Sequence, residues 1–139
     1  MKKIFLGIIS LSLLAACNSN PAKTAGTTAN ASNAAVIKFE SDVYDFGKIN
    51  PGDKVTHEYK FENKGESPLI ISDSYASCGC TQPEWPHKPI KPGESGIIKV
   101  TFNSAGKSGL QDKQITVVAN TVPANTVVHL IGEVLEPKK

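Results

Sequence analysis

Alternation of apolar and polar side chains is the dominant pattern of the chain from residue 36 onward. In the run 55–62, Val, His, Tyr and Phe fall on one face and Thr, Glu, Lys and Glu on the other, and the run 96–103 alternates in a similar way. A period of two residues is typical of a half-buried β-strand. The runs 113–120 and 126–135 are rich in β-branched residues and show no helical period, so they also favour strands.

Turn-forming residues separate these runs. Pro51-Gly52 and Pro92-Gly93 suit tight turns, because proline presets φ at the second residue and glycine admits a positive φ at the third. The spacing of strands and turns predicts an all-β sandwich of about seven strands. The predicted strands are 36–40, 43–49, 54–62, 68–76, 95–103, 112–119 and 126–135.

Residues 1–16 have the features of a lipoprotein signal peptide. Two lysines precede an apolar run of about 11 residues, which is shorter than the roughly 20 that an α-helix needs to cross a bilayer. The run ends in Leu-Leu-Ala-Ala-Cys, which resembles a bacterial lipobox, and the resemblance implies that Cys17 becomes the lipidated first residue of the mature protein. We therefore predict a lipid anchor at Cys17 that needs no help from the folded part.

Residues 17–35 comprise the lipidated cysteine and a linker of small and polar residues. Such a segment buries too little apolar surface to offset its ordering entropy, so it is predicted to be a flexible tether. It leads to one domain at 36–135 and a short tail at 136–139. Asn18 follows the lipid site and no acidic residue precedes Glu40. By resemblance to lipoprotein sorting signals, this predicts an exported cell-envelope protein on the outer membrane, facing the periplasm.

The charge balance argues against nucleic acid as a partner. All 15 basic residues are lysine and two leave with the signal peptide, so 13 lysines balance 13 acidic residues in the mature chain. A neutral chain without arginine lacks the basic clusters that bind a phosphate backbone. The sequence also contains no Gly-x-Ser-x-Gly elbow, P-loop or dinucleotide fingerprint. We therefore predict that the protein is not an enzyme, and we identify no small-molecule substrate.

Several short motifs resemble the bacterial domain-of-unknown-function family 1573 over residues 39 to 133. The matching segments are Asp45-Phe46-Gly47, Pro51-Gly52-Asp53, Phe61 to Gly65, Pro68 to Ile71, Ser77 to Thr81, Pro89-Ile90, Pro92 to Glu94 and Ile98 to Phe102. The Phe-Gly, Asn-x-Gly and Pro-Gly-Glu turns are also similar to those of the immunoglobulin-like Hydin and major sperm protein modules. The resemblance implies an immunoglobulin-like β-sandwich in the cell envelope, and it supplies no established activity.

Two of the three cysteines, Cys78 and Cys80, are separated by Gly79 alone. In an extended segment the residues i and i+2 share a face, so the two sulfurs would lie side by side, and Gly79 would let the backbone bend. A bridge across one residue would be a small, strained ring that exchanges readily in an oxidising compartment.

Three interpretations of this pair stay open. The first is a structural turn, bridged or not, and the second is a thiol–disulfide exchange site. The third is a soft-metal site for copper, or for zinc, with His87 as the best third ligand. No cofactor is predicted apart from that metal.

Three other side chains have two readings each. Trp85, between Pro83 and Pro86, is either an exposed recognition aromatic or part of a loop packed on the sandwich. His57 lies on the apolar face of its run, so it is predicted to be a hydrogen-bonded core residue rather than a ligand. His129 alternates with apolar residues and is predicted to occupy a half-buried strand position.

These features together predict a lipid-anchored β-sandwich that acts as a structural or protein-interaction module. The partner would be another envelope protein, bound by adding an extended segment to a sheet edge. The alternative is a copper protein or a thiol/disulfide exchange protein that works through Cys78-Gly79-Cys80.

Overall fold

The computed structural model describes residues 33–136, which form eight β-strands. The strands are β1 (Ile37–Phe39), β2 (Val43–Ile49), β3 (Lys54–Asn63), β4 (Ile71–Ala76), β5 (Thr81–Glu84), β6 (Ser95–Asn103), β7 (Gly109–Ala119) and β8 (Asn125–Val134). The prediction of an all-β fold is confirmed. Within this described range no helix is long and apolar enough to span a bilayer. The predicted lipid site at Cys17, the signal peptide and most of the linker lie outside the described residues.

The strands form two four-stranded sheets that pack face to face as an immunoglobulin-like β-sandwich. The first sheet has the order β1-β3-β6-β5 and the second has the order β2-β8-β7-β4. All neighbours are antiparallel except β2 and β8, which run parallel. Strands β4 and β5 contact each other at one side of the sandwich, so β1 and β2 form the two edges at the other side.

The strand that the sequence analysis missed is β5, which pairs with β6 between Thr81 and Glu84. The strand was not predicted because of Pro83, since proline cannot donate to a sheet ladder and its presence argues against a central strand. It is tolerated here because β5 lies at a sheet edge. The predicted strand 68–76 begins at Ile71 instead, since Leu69 makes an isolated bridge to Ile90.

The inward faces of the two sheets form one hydrophobic core. Alternate residues of β3 and β6 point into it from the first sheet, and alternate residues of β7 and β8 from the second, as the period of two predicts. The largest fully buried apolar side chains are Tyr59, Phe61, Leu69, Ile98, Val100, Phe102, Ile115, Val117, Val128, Leu130 and Val134.

Asn63 is the buried polar centre of the fold, with no exposed surface. Its side-chain oxygen accepts hydrogen bonds from the backbone N–H groups of Val36, at 3.3 Å, and Gly65, at 3.0 Å. Its amide group donates to the carbonyls of Ser67 and Ile90, at 2.8 and 3.0 Å. Four hydrogen bonds offset the cost of burying this amide and fix where the chain enters the domain.

The domain begins slightly before the predicted boundary at residue 36. Ala35, which the sequence analysis placed in the tether, is 1% exposed and forms a parallel bridge with Thr121. This segment crosses directly over Gly65, where a Cβ atom would come within 2.3 Å of the Ala34 carbonyl oxygen. The Asn-x-Gly motif therefore serves a close backbone approach as well as a turn.

Candidate functional site

The Cys-Gly-Cys motif lies in the crossover between the two sheets. The chain leaves β4 at Ala76 and enters β5 at Thr81, so four residues carry it from the second sheet to the first. The N–H of Ser77 donates to the carbonyl of Gln114, and the carbonyl of Cys80 accepts from the N–H of Asn103, both at 2.9 Å. Backbone hydrogen bonds thus hold both ends of the crossover to different sheets.

Cys78 and Cys80 are joined by a disulfide bond, with their Cα atoms 5.3 Å apart. Both residues are half-buried, and Cys80 packs against the hydrophobic core. The hydroxyl of Thr81 lies 3.7 Å from the sulfur of Cys78 and 3.9 Å from that of Cys80. The sulfurs therefore have one polar neighbour that can hydrogen-bond either of them.

Gly79 does not have the role that the sequence suggested. We expected it to let the backbone bend, but its φ is not among the positive values of the domain's glycines. A Cβ atom built on Gly79 would meet nothing within 4 Å. The crossover therefore does not need glycine for either space or backbone conformation at this position.

A surface cleft of about 310 Å³ opens beside the disulfide. Gly79 and Cys80 form part of its wall, and Lys54 at the start of β3 is the charged residue that lines it. The other lining residues are Gln82, Thr101, Asn103 and Ala105. The disulfide-bonded residue Cys80 therefore lies beside a cleft that a partner could enter, and disulfide exchange requires a thiolate to reach one of the two sulfurs.

The structure does not bring His87 together with the cysteines as a metal site. Among residues 33–136, no group of three or more His, Cys, Asp or Glu side chains is placed to hold a metal ion. The physical reason is β5, an extended strand that begins directly after Cys80 and carries the chain away from the pair before it reaches His87. His87 is exposed and contacts Trp85 instead, with ring centroids 5.2 Å apart.

Trp85 follows β5 and is packed on the sandwich. Its side chain is half-buried and lies against the hydrophobic core. Its indole Nε1 is buried without a hydrogen-bond partner in the described part of the chain. Of the two readings for Trp85, this placement corresponds to the loop packed on the sandwich.

His57 is a stacked surface residue rather than the hydrogen-bonded core residue that we predicted. Its ring lies parallel to that of Tyr44, with centroids 3.7 Å apart, and meets the edge of Tyr59. Burial between these rings lowers the pKa of His57, and the charge of Glu58 opposes this effect. The imidazole is only half-buried because β2, which supplies Tyr44, is a sheet edge.

His129 occupies the half-buried strand position that the alternation predicted. Its Nδ1 lies 2.9 Å from a carboxylate oxygen of Asp112 on the neighbouring strand β7. The pair lies on the outer face of the second sheet, and nothing in the described residues adds a third polar group to form a catalytic or metal cluster.

Two residues beside the cysteine pair were missed by the sequence analysis. Thr81 could have been found, because it follows Cys80 directly in the chain. No local sequence pattern points to Lys54. It lies 26 positions before Cys80 in the chain and reaches the cleft through the pairing of β3 with β6.

Comparison with known families gives one match. The family described as "Protein of unknown function (DUF1573)" matches residues 37–134, which is nearly the whole of the described domain. No curated protein matches the chain significantly.

Comparison with solved structures shows a similar fold in several other proteins. A protein of unknown function from Porphyromonas gingivalis W83 aligns with a TM-score of 0.67 at 17% identity, covering 77% of this chain and 50% of that chain. The ASH/PapD-like domain 7 of human CEP192 aligns with a TM-score of 0.55 at 14% identity, covering 95% and 100%. The secreted serine protease VesC from Vibrio cholerae aligns with a TM-score of 0.56 at 12% identity, covering 77% and 24%.

These likenesses show the fold alone, because all three identities are low. This chain spans half the length of the P. gingivalis protein and about a quarter of VesC. It corresponds to the full length of the CEP192 PapD-like domain.

Proposed function

The chain belongs to the DUF1573 family of proteins of unknown function, and from that premise we propose that it is a lipid-anchored, non-catalytic module of the cell envelope that binds partner proteins at its sheet edges. The partner contributes an extended segment that continues one of the sheets. In this mode the main-chain hydrogen bonds give affinity, and the side chains give specificity.

The observation that carries this proposal is the open architecture of the sandwich. Neither sheet closes on itself, so within residues 33–136 β1, β2, β4 and β5 each have one side without a neighbouring strand. An exposed edge is a ready template for another strand, and proteins that do not use their edges cover or close them. The four edges are therefore the surfaces at which this fold can bind a partner most simply.

The polar groups of the domain support a binding role rather than a catalytic one. The buried side chain of Asn63 holds the fold through its four hydrogen bonds. Ser104 likewise donates to the carbonyls of Asn50 and Asp53. The shifted pKa values of His57 and Tyr59 arise first from burial in the sandwich, not from a charged partner in a cleft.

Site-specific photocrosslinking in intact cells tests this proposal. A photoreactive amino acid is placed singly on the edge strands at Lys38, Val43, Tyr75 and Gln82, and on central strands at Glu58 and Gln114, all of which are exposed. We expect one or more edge positions to crosslink to a defined polypeptide, and the central positions to give no such product. Crosslinks from the central positions alone would overturn edge binding.

The lipid anchor is tested by intact mass spectrometry of the protein purified from membranes. The prediction is a mature chain that begins at Cys17 and carries an added diacyl or triacyl mass. The variant Cys17→Ser should lose that mass and leave the membrane fraction. A wild-type protein without added lipid would overturn the anchoring part of the proposal and leave the edge-binding part intact.

A second candidate function is thiol–disulfide exchange through Cys78 and Cys80. It is favoured by one observation, the disulfide placed at the wall of an open cleft with a hydroxyl beside both sulfurs. A partner dithiol would attack one sulfur as a thiolate and form a mixed disulfide. Its second thiolate would then release the domain as a dithiol, so that the partner is oxidised by two electrons and Cys78 and Cys80 are reduced.

The double variant Cys78→Ser/Cys80→Ser distinguishes the two functions. We expect it to remain folded, because a bridge with a sequence separation of 2 closes a very short loop, and the chain-entropy model gives only about 1.5 kcal/mol for such a loop. Edge binding predicts that the crosslinking pattern is retained. The exchange function predicts that mixed disulfides with envelope proteins disappear while the fold is intact.

A further inference from the structure

Of the four sheet edges in residues 33–136, three are interrupted by capping hydrogen bonds, a proline or a register shift, and one is not. In an antiparallel pair, alternate residues direct their N–H and C=O groups to the partner strand, and the residues between them direct these groups outward. The hydrogen bonds at each edge therefore show which backbone groups remain for an added strand.

The edge of β5 has no free donor. The carbonyl of Cys80 is bonded to Asn103, so the outward-directed residues of the strand are Thr81 and Pro83. The N–H of Thr81 donates to the carbonyl of Cys78 at 3.2 Å, and Pro83 has no N–H. Proline on an edge strand is a common way of blocking further pairing.

The edge of β4 is closed by a carboxylate and an irregularity. Ser77 is bonded to Gln114, so Ser74 and Ala76 are directed outward. The side chain of Asp73 accepts the N–H of Ser74 at 2.8 Å, and the register shifts between Ile71 and Asp73. No two successive outward residues of β4 keep a free N–H.

The edge of β2 is capped at Val43 and interrupted by a register shift between Asp45 and Lys48. Its outward residues before the bulge are Val43 and Asp45, because the carbonyl of Asp42 is bonded to the N–H of His129. The hydroxyl of Ser41 donates to the carbonyl of Val43 at 2.7 Å and lies 3.4 Å from its N–H. The carboxylate of Asp45 accepts the N–H of Gly47 at 2.7 Å, where the register shifts.

The edge of β1 is open beyond the bridge between Ala35 and Thr121. The carbonyl of Val36 accepts from the N–H of Lys64, which directly follows β3, and the N–H of Glu40 donates to the carbonyl of Lys60 in β3. Ile37 and Phe39 lie between these bonded positions, so their backbone groups are directed away from β3. Within residues 33–136, neither a backbone nor a side-chain group bonds to those four N–H and C=O groups. The side chains of Ile37 and Phe39 pack in or against the core.

A groove of about 260 Å³ runs along this edge. It is lined by residues 37–42 and by Thr126 and Val127 of β8, and Lys38 is the basic residue among them. Glu40 and Asp42 are exposed at one end of the groove, and neither takes part in an ion pair in the described part of the chain. Ile37 and Phe39 face the core and alternate with the exposed Lys38, and the acidic groups lie beyond them. This arrangement fits a segment that carries two alternate apolar residues next to a cation.

We propose that β1 is the receiving edge, and that its occupant is an extended partner segment with two alternate apolar residues opposite Ile37 and Phe39 and a basic residue beside Glu40 and Asp42. This inference rests on the proposed function and specifies where and what the domain binds. The segment runs antiparallel to β1, which places the basic residue at its N-terminal end.

The probe that tests this is the blocked hexapeptide acetyl-Thr-Lys-Val-Thr-Val-Thr-amide, added to the purified mature protein. In the antiparallel register its valines lie opposite Phe39 and Ile37, and its lysine lies opposite Glu40, on the face that Glu40 shares with Asp42. We expect the backbone amides of Ile37 and Phe39 to exchange with solvent about tenfold more slowly when the peptide is bound. The same peptide with N-methylated valines keeps the side chains and the charge but lacks the donors, so it should give no protection.

Protein variants separate this edge from the others. Ile37→Pro removes the outward N–H together with a half-buried side chain that packs against the core, and we expect it to weaken binding of the peptide by about tenfold. Ala76→Pro makes the matched change on β4 and should leave binding unchanged. Glu40→Gln/Asp42→Asn should weaken binding and reduce its dependence on salt.

Three results would overturn the proposal. Protection at Asp45, Ser74 or Ala76 in place of β1 would leave edge binding as the function and refute the choice of edge. Equal binding of the N-methylated peptide would refute strand addition at β1, even if Ile37→Pro does not fold. Protection of Ile37 and Phe39 that grows with protein concentration in the absence of peptide would assign the edge to a second copy of the chain.

Discussion

The phenol of Tyr59 donates a hydrogen bond to the backbone carbonyl of His129, 2.8 Å away on the opposite sheet. Tyr59 is 1% exposed and belongs to β3, whereas His129 belongs to β8, so this bond ties the two sheets together across the core. Burial raises the pKa of Tyr59, which keeps the phenol protonated and able to donate.

Tyr59→Phe should therefore destabilise the domain by about 1 to 2 kcal/mol, because the ring stays packed while a hydrogen bond to a buried carbonyl is lost. Urea denaturation at neutral pH measures this change. Tyr75→Phe is the control, since Tyr75 is 50% exposed and should change the free energy of unfolding by less than about 0.5 kcal/mol. Equal effects of the two variants would contradict a role for the Tyr59 bond.

Asn63→Ala should lower the free energy of unfolding by about 3 kcal/mol, because it leaves two N–H groups and two carbonyls without their partner. Asn120→Ala is the matched control. Asn120 also bonds backbone groups, the N–H of Ile70 and the carbonyl of Pro68, but it is exposed, so water can replace it at a cost of about 1 kcal/mol. Thermal and urea unfolding of both variants give the comparison.

Replacing two glycines of the family motifs with alanine should have different effects on the stability of the domain. Gly65→Ala places a methyl group against the backbone of Ala34 and Val36, which cannot move as a side chain can, and should cost about 2 kcal/mol or more. Gly79→Ala enters open space and should be neutral within about 0.5 kcal/mol. A large loss of stability in Gly79→Ala would show that the crossover needs glycine after all.

The stability of the domain should fall as the pH is lowered past the ordinary pKa of histidine. Burial lowers the pKa of His57 in the folded state, so the unfolded chain binds a proton more readily. The contribution of His57 is complete above the unfolded pKa of about 6.5 and is lost as the pH falls through the folded pKa. His57→Gln should flatten this part of the profile, whereas His87→Gln, at an exposed position, provides the control. An unchanged profile in His57→Gln would refute the assignment.

The strand pattern could be predicted because alternation is local to each run. The faces of β3 and β6 follow directly from the alternation in 55–62 and 96–103. Seven of the eight strands lie close to the seven predicted ranges, and β5 is the additional strand. Pro83 concealed β5 because the edge position that tolerates it is decided by the order of strands in the sheet, and no local pattern reports that order.

The candidate sites were only partly accessible from the sequence. The side-chain bonds of Ser41, Asp45 and Asp73 span one or two residues, so they could have been read as edge caps once the edges were known. The open edge at Ile37 and Phe39 could not, because it depends on which strand neighbours β1. His87 was placed near the cysteines by its distance along the chain, which an extended β5 makes a poor guide. The lipid site at Cys17 stays a prediction.

The most direct test of the account is residue-resolved amide hydrogen exchange across β1 in the free protein. The amides of Lys38 and Glu40 are directed to β3, with the Glu40 N–H bonded to the carbonyl of Lys60 at 3.0 Å, whereas those of Ile37 and Phe39 face outward. We predict that Ile37 and Phe39 exchange at least about tenfold faster than Lys38 and Glu40. Similar protection at all four amides would mean that the edge of β1 is already occupied, and it would contradict the claim that this edge receives the partner.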